Sequence, residues 1–325
     1  MKGVLILGMV LLGAQSATPP APPPSQAALD RAAQVLAAAR AALGGDKLAA
    51  LKTVVATGRT RRVRGNNIQP IEFEISIELP DKYLRKDEFP AEESDPTSTG
   101  FNGADLVQNP PPVIAAPPAR AGAPAPTPAE LAAQRKTRIA AAVSAARQDF
   151  ARLALGLFAN TYNVLPLTFA FAGQAEAPQG KADVLDVKGE ANLAWRLFVN
   201  TDAHLPIMLS WQGPPTSVIV TAPGQSPPAT VGAGTVVVAG PAAPGAGASQ
   251  AEKDQYAKDV QALRQKTQQT PVEYRLYFAD YRDVEGLQLP FRLRRAIGAD
   301  TTEETTFDRF RLNTKIDPKK FEPVK

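Results

Sequence analysis

The chain has 325 residues, one histidine, no cysteine and a formal net charge of +4. The missing cysteine excludes disulfides, thiolate metal sites, thiol nucleophiles and a lipid-attachment cysteine. So mild a charge gives no electrostatic case for nucleic-acid binding.

The first residues read as a secretory signal over 1–16. Lys2 supplies the positive region, Val4 to Leu12 the apolar region, and Ala14-Gln15-Ser16 a small-residue cleavage site. That run is much shorter than the ~20 residues of a membrane span, and no later segment qualifies. The expectation is an exported, periplasmic protein of a Gram-negative-type envelope with no transmembrane segment. A proline-rich spacer follows over 17–26. The remainder, 27–325, reads as a single domain with inserts at about 109–159 and 222–270.

Ala27 to Leu43 has helical spacing of leucines and ends at Gly44-Gly45. From Val54 the period changes. Glu72 to Leu79 (EFEISIEL) alternates without a fault, the pattern of a half-buried antiparallel strand, and KYLRKDEF and FNGADLV follow as partners. Asn109 to Thr127 is low-complexity Pro/Ala. Thr127-Pro128-Ala129-Glu130 then has capping-box form and opens a helix to about Ala159. Its stripe is Ile139, Val143, Ala146, Phe150, Leu153 and Leu157. Strand patterns return at LTFAFAG, ADVLDVKG, LAWRLFVN and PIMLSWQG. In the second insert TVVVA suggests a hairpin arm, and Ser249 to Glu252 opens a polar helix. The last block, VEYRLYFADYRDV, LPFRLRRAI and EETTFDRFRL, is regular β. Many antiparallel strands with helices inserted as blocks make the fold class α+β.

Few groups have the form of a reactive site. His204 lies in NTDAHLP, a turn sequence between two alternating runs, with no nucleophile or orienting carboxylate in reach of a motif. Leu205-Pro206 and Leu289-Pro290 each read as the start of a hairpin's return strand. One histidine and carboxylates without calcium-loop spacing predict no metal site, and no cofactor is implied. Asp280, Asp283 and Glu285 cluster before Gly286 and would serve an envelope hydrolase if they converged in a pocket. In the basic run RTRRVR, Arg59 or Arg61 could clamp a lid element or an acidic ligand group, against the plainer reading of a solvated strand face. The apolar strand faces are the strongest signal. Covered by alanine-rich helices, they would leave either a filled core or a cavity for a hydrophobic ligand. One face is assigned Phe73, Ile75, Ile77, Leu197, Val199, Ile207, Leu209 and Trp211.

Several stretches resemble the outer-membrane lipoprotein-sorting, or lipoprotein-carrier (LolA/LolB-like), family. They are the helix ending in Gly44-Gly45, Leu51-Lys52-Thr53-Val54, Gly58-Arg59-Thr60-Arg61 and Phe101-Asn102-Gly103. More specific are DVKGEANLAWRLFVNTDAHLPIMLSW, YRDVEGLQLPFRLRR and TTFDRFRLNTKIDPKKFEP. The resemblance implies a curved antiparallel sheet forming an open half-barrel, closed by helices acting as a lid. It also implies a non-enzymatic carrier whose partner is a lipid or the acyl chains of a lipoprotein. An envelope scaffold holding a protein partner is the alternative.

Overall fold

The computed structural model describes residues 23–65, 67–112, 127–177, 180–226, 228 and 231–323. The signal expected at 1–16, most of the spacer and much of the first Pro/Ala stretch lie outside the described residues. No described helix is long and apolar enough to cross a membrane.

The chain opens with α1 (Gln26–Leu43) and the short α2 (Asp46–Ala49). Strands β1 (Thr53–Arg64), β2 (Asn67–Glu78), β3 (Lys82–Glu88), β4 (Thr97–Asn102) and β5 (Asp105–Asn109) follow. The long α3 (Pro128–Phe158) leads to β6 (Leu167–Ala177), β7 (Gly180–Gly189), β8 (Ala194–Asn200) and β9 (Pro206–Gly213). A small unit of β10 (Ser217–Thr221), β11 (Thr235–Ala239) and α4 (Gln250–Gln268) precedes β12 (Val272–Val284), β13 (Leu287–Ile297) and β14 (Asp300–Leu312).

Twelve strands form one antiparallel sheet in the order β5-β4-β3-β2-β1-β14-β13-β12-β9-β8-β7-β6. The edges β5 and β6 do not meet, so the sheet is open, and the expected α+β half-barrel class holds. This order explains α3. The helix joins one edge strand to the other and must cross the whole sheet. Twelve strands at ~4.8 Å spacing span roughly 53 Å when flat. The 31 residues of α3 give about 46 Å of helix, enough to cross a curved sheet. Although α3 falls within the stretch read as an insert, it supplies Phe150, Leu153, Leu155, Leu157 and Phe158 to the main core.

Local chemistry fixes the helix ends. Thr127 accepts from the Glu130 amide while the Glu130 carboxylate accepts from the Thr127 amide, closing the predicted capping box. Ser249 and Glu252 do the same for α4. TVVVA (β11) forms no hairpin. It pairs in parallel with β10, which its long connection allows.

The main core lies between one sheet face and the two helices α1 and α3. The other face carries a smaller core of Val55, Leu84, Val107, Ile316 and Phe321. There the Ile-Asp-Pro-x-x-Phe segment is explained physically: Asp317 caps a single 3-10 turn and Pro318 starts it, so that Phe321 is buried on the sheet.

The Leu-Pro pairs sit near strand boundaries with one exception. Pro206 begins β9, but Pro290 lies inside β13. It is tolerated because it stands beyond the last β14 partner, the Arg292–Thr306 pair, where one side of the ladder has already ended.

Candidate functional site

Register carries one row of side chains across the helix-covered face. Leu185 stands opposite Leu197, Leu197 opposite Leu209, and Leu209 opposite Leu276. The row then changes character, continuing as Arg295, Glu303 and Arg62. A neighbouring row runs through Trp195, Trp211, Tyr274 and Ile297. The covered face therefore carries a charged and aromatic patch and is apolar over the rest.

In the apolar part, Phe73, Ile75, Ile77, Leu197, Val199 and Leu209 are all buried in the main core with residues of α1 and α3. Trp211 is half-buried at its border. Ile207 leaves the set. The β8–β9 register shifts between Phe198 and Val199, which breaks the alternation. Ile207 instead lines a 390 Å³ outer groove with Phe198, Met208 and Tyr277.

Three features seat α3 on this face. Phe150 packs against Tyr83 and Phe101, with ring centroids 5.4 and 5.6 Å away. Gly156 lets the helix approach β12 closely, since a Cβ there would stand 1.9 Å from the Phe278 ring. The buried Tyr281 hydroxyl lies 2.7 Å from the Pro206 carbonyl and 3.1 Å from that of Gly156, joining β9, β12 and α3. Burial pushes the Tyr281 phenol well above its usual pKa and that of Tyr83 up to about 12.

The charged side borders a pocket of about 820 Å³ between α3, the β13–β14 hairpin and the small unit after β9. Arg62 donates to Glu303 at 2.5 Å, and Arg295 lies 3.4 Å from the other oxygen of that carboxylate. Burial of Glu303 opposes its charge. The guanidiniums of Arg295, Arg62 and Arg85 overcome this and hold its carboxyl below the usual range. Deeper, Arg85 donates to Asp87 at 2.7 Å and to Thr60 at 3.2 Å, and the Thr60 hydroxyl pairs with that of Thr305 at 2.8 Å. Arg152 of α3 lies over Trp195 and Trp211, 5.0 and 4.5 Å from the ring centroids, and Trp211 stacks on Tyr274. Its Nη atoms donate to Asp149 and Gln148, while its buried Nε has no partner. Burial lowers the Arg152 pKa, with Asp149 opposing that shift.

The residues proposed from sequence as a clamp are placed elsewhere. Inward positions on β1 are Gly58, Thr60 and Arg62, so Arg59 and Arg61 are exposed on the opposite face, Arg59 paired with Asp308. Of Arg59, Arg61 and Arg62, the one that reaches the pocket is Arg62. His204 is an exposed turn residue at φ 56°, in a turn whose amides at Asp202 and Ala203 donate to the Asn200 side chain. Asp280 pairs with Arg282, Asp283 accepts from the Gly286 amide, and Glu285-Gly286 form the β12–β13 turn at positive φ. The Asp280 and Asp283 carboxylates serve local structure, Glu285 contributes its backbone to the turn, and all three are exposed. Among the described residues no group of three His, Cys, Asp or Glu has the placement to hold a metal ion.

Arg85, Arg152, Arg295, Glu303, Trp195 and Tyr274 were not singled out from sequence. Those on strands carry the inward parity of the apolar residues around them, and Arg152 stands next to Leu153 of the α3 stripe. Their meeting depends on pairings more than two hundred residues apart along the chain, such as Arg62–Glu303.

No family model matches the sequence, and no curated protein is similar to it in sequence. Among solved structures the chain is similar to a LolA superfamily protein from Nitrosomonas europaea, at 10% identity and TM-score 0.45, covering 90% of this chain and 97% of that one. It is also similar to an outer membrane lipoprotein-sorting protein domain from Vibrio parahaemolyticus, at 7% identity and TM-score 0.43, covering 90% and 97%. A third is a DUF1329 family protein from Desulfovibrio piger, at 9% identity and TM-score 0.42, covering 92% and 97%. At such values the likeness is distant, and the functional reading rests on this chain's own residues.

Proposed function

We propose that this is an exported, periplasmic carrier that binds a hydrophobic ligand, a lipid or the acyl chains of a lipoprotein, between α3 and the covered face of the open sheet. One observation carries the reading: the apolar face is closed by helices, and α3 contributes small residues to that contact. Ala146, Ala151, Ala154 and Gly156 are buried along it. An acyl chain replacing part of the helix contact would exchange one apolar surface for another at low net cost, each buried methylene contributing ~0.8 kcal/mol. Nothing in the mechanism requires a catalytic group. The signal over 1–16 and the single domain with inserts belong to this proposal.

Native mass spectrometry of the gently purified protein, with titration of a fluorescent fatty acid, tests it. Co-purifying lipid or saturable probe binding supports the carrier, and their joint absence overturns it. A second reading has its own observation. Leu43, Leu155, Leu185 and Leu197 have no exposed surface, as in a filled core. An envelope scaffold holding a protein partner would be built that way, and crosslinking that recovers one stoichiometric partner from an envelope fraction would favour it.

A further inference from the structure

The 820 Å³ pocket is built differently from the core it adjoins. Its lining includes Arg62, Arg152, Arg275 and Arg295 against Asp149, Asp300 and Glu303, and Arg275 is itself paired with Glu273. The acids leave many donors over. Arg62 and Arg295 share the one Glu303 carboxylate, and Arg152 keeps an unpartnered Nε. Each guanidinium carries five N–H donors, and a fork of that kind matches carboxylate or phosphate oxygens. Trp211 and Tyr274 form an aromatic wall beside these donors. The lip is apolar. Among the described residues the strongly exposed large apolar side chains are Val63, Ile68 and Val231, and Val63 (44% exposed) and Val231 (40%) both line the pocket.

Arginine floor, aromatic wall and apolar lip together fit an amphiphile. We infer that this pocket is the headgroup site for an anionic amphiphile, taking a carboxylate or phosphate between Arg62 and Arg295 on the sheet and Arg152 on α3. The first methylenes then lie on Trp211 and Tyr274. This rests on the carrier reading and adds selectivity for charge. Because Arg152 belongs to α3, an anion there bridges the cover to the sheet.

The test compares ligands with one chain and different heads: palmitate, the phosphate monoester of the same chain length, and the corresponding alcohol. Each displaces a fluorescent acyl probe from the full protein, and inorganic phosphate is titrated alone against tryptophan fluorescence. The anionic amphiphiles are expected to bind about tenfold more tightly than the alcohol, the scale of one charge-assisted hydrogen bond. Arg295→Gln should remove most of that preference and Arg295→Lys restore part of it. Should Arg295→Gln fail to fold, Val231→Glu places a negative charge at an exposed lip position and should remove the same preference. Equal binding of all three ligands would overturn the headgroup site and leave the carrier standing. Binding of none would overturn both. Phosphate binding alone, with no amphiphile bound, would mark a free-anion site and overturn the inference.

Discussion

From β7 to β12 the central row of the covered face is Leu185, Leu197, Leu209 and Leu276, and from β13 to β1 it continues as Arg295, Glu303 and Arg62. The leucine stretch is closed by burial alone and packs without exposed surface. The charged stretch cannot close that way. Its guanidiniums need carboxylates, aromatic faces and water around them, so space remains where α3 passes over it. One helix thus covers a sealed region and a recessed one, and the boundary falls near Arg152.

The largest effect should come from the apolar core over β3 and β4, which is sealed by burial like the leucine stretch. Phe150→Ala removes the ring between Tyr83 and Phe101 and should cost about 3–5 kcal/mol in denaturant unfolding. Glu303→Gln should cost less, about 2–3 kcal/mol, by leaving Arg62 and Arg295 without their shared partner. Its pH signature separates the two regions. The folded state holds the Glu303 carboxyl below its usual pKa, so its stabilisation is present above the unfolded value of ~4.3 and is lost as pH falls through the lower folded value. Glu303→Gln should therefore flatten the acid limb of the stability curve, and Phe150→Ala should leave its shape unchanged. An unaltered acid limb in the Glu303 variant would erase the contrast.

Arg152→Met should cost about 1–2 kcal/mol, within the range of a desolvated cation–π contact, and should change tryptophan emission because Arg152 lies over Trp195 and Trp211. Unchanged emission would show that the stack does not exist in solution. A smaller effect is expected at Thr60. Thr60→Val should cost about 1 kcal/mol by leaving the Thr305 hydroxyl and one Arg85 donor without a partner, and adding Thr305→Val should cost less than a second such loss. The apolar core has an alkaline counterpart to the Glu303 limb. Burial raises Tyr83 and Tyr162 to about 12, so their phenols favour the folded state below ~10 and withdraw that support as pH rises through the folded values. Ultraviolet titration should show these two ionising after the exposed tyrosines.

The apolar half was largely legible in the sequence. Glu72 to Leu79 alternates so regularly that Phe73, Ile75 and Ile77 could be assigned to one buried face, and the stripe on α3 is buried from Val143 onward. Parity failed where the ladder slips. The β8–β9 shift turned Ile207 outward, and nothing in PIMLSW marks it. The charged half was hidden for another reason. Arg59, Arg61 and Arg62 are alike in type, and only the phase of β1 sends Arg62 inward. Glu303 and Arg295 join it through pairings that local pattern does not encode.

The central claim is that α3 yields to an acyl chain while the sheet stays fixed. The protein has no cysteine, so two introduced thiols report alone. Spin labels at Ala145→Cys on α3 and Lys188→Cys on β7, both exposed positions, give the distance between cover and sheet by pulsed electron resonance during titration with a long-chain fatty acid. The account predicts that the distance lengthens in step with probe binding. Saturable binding with an unchanged distance would contradict it.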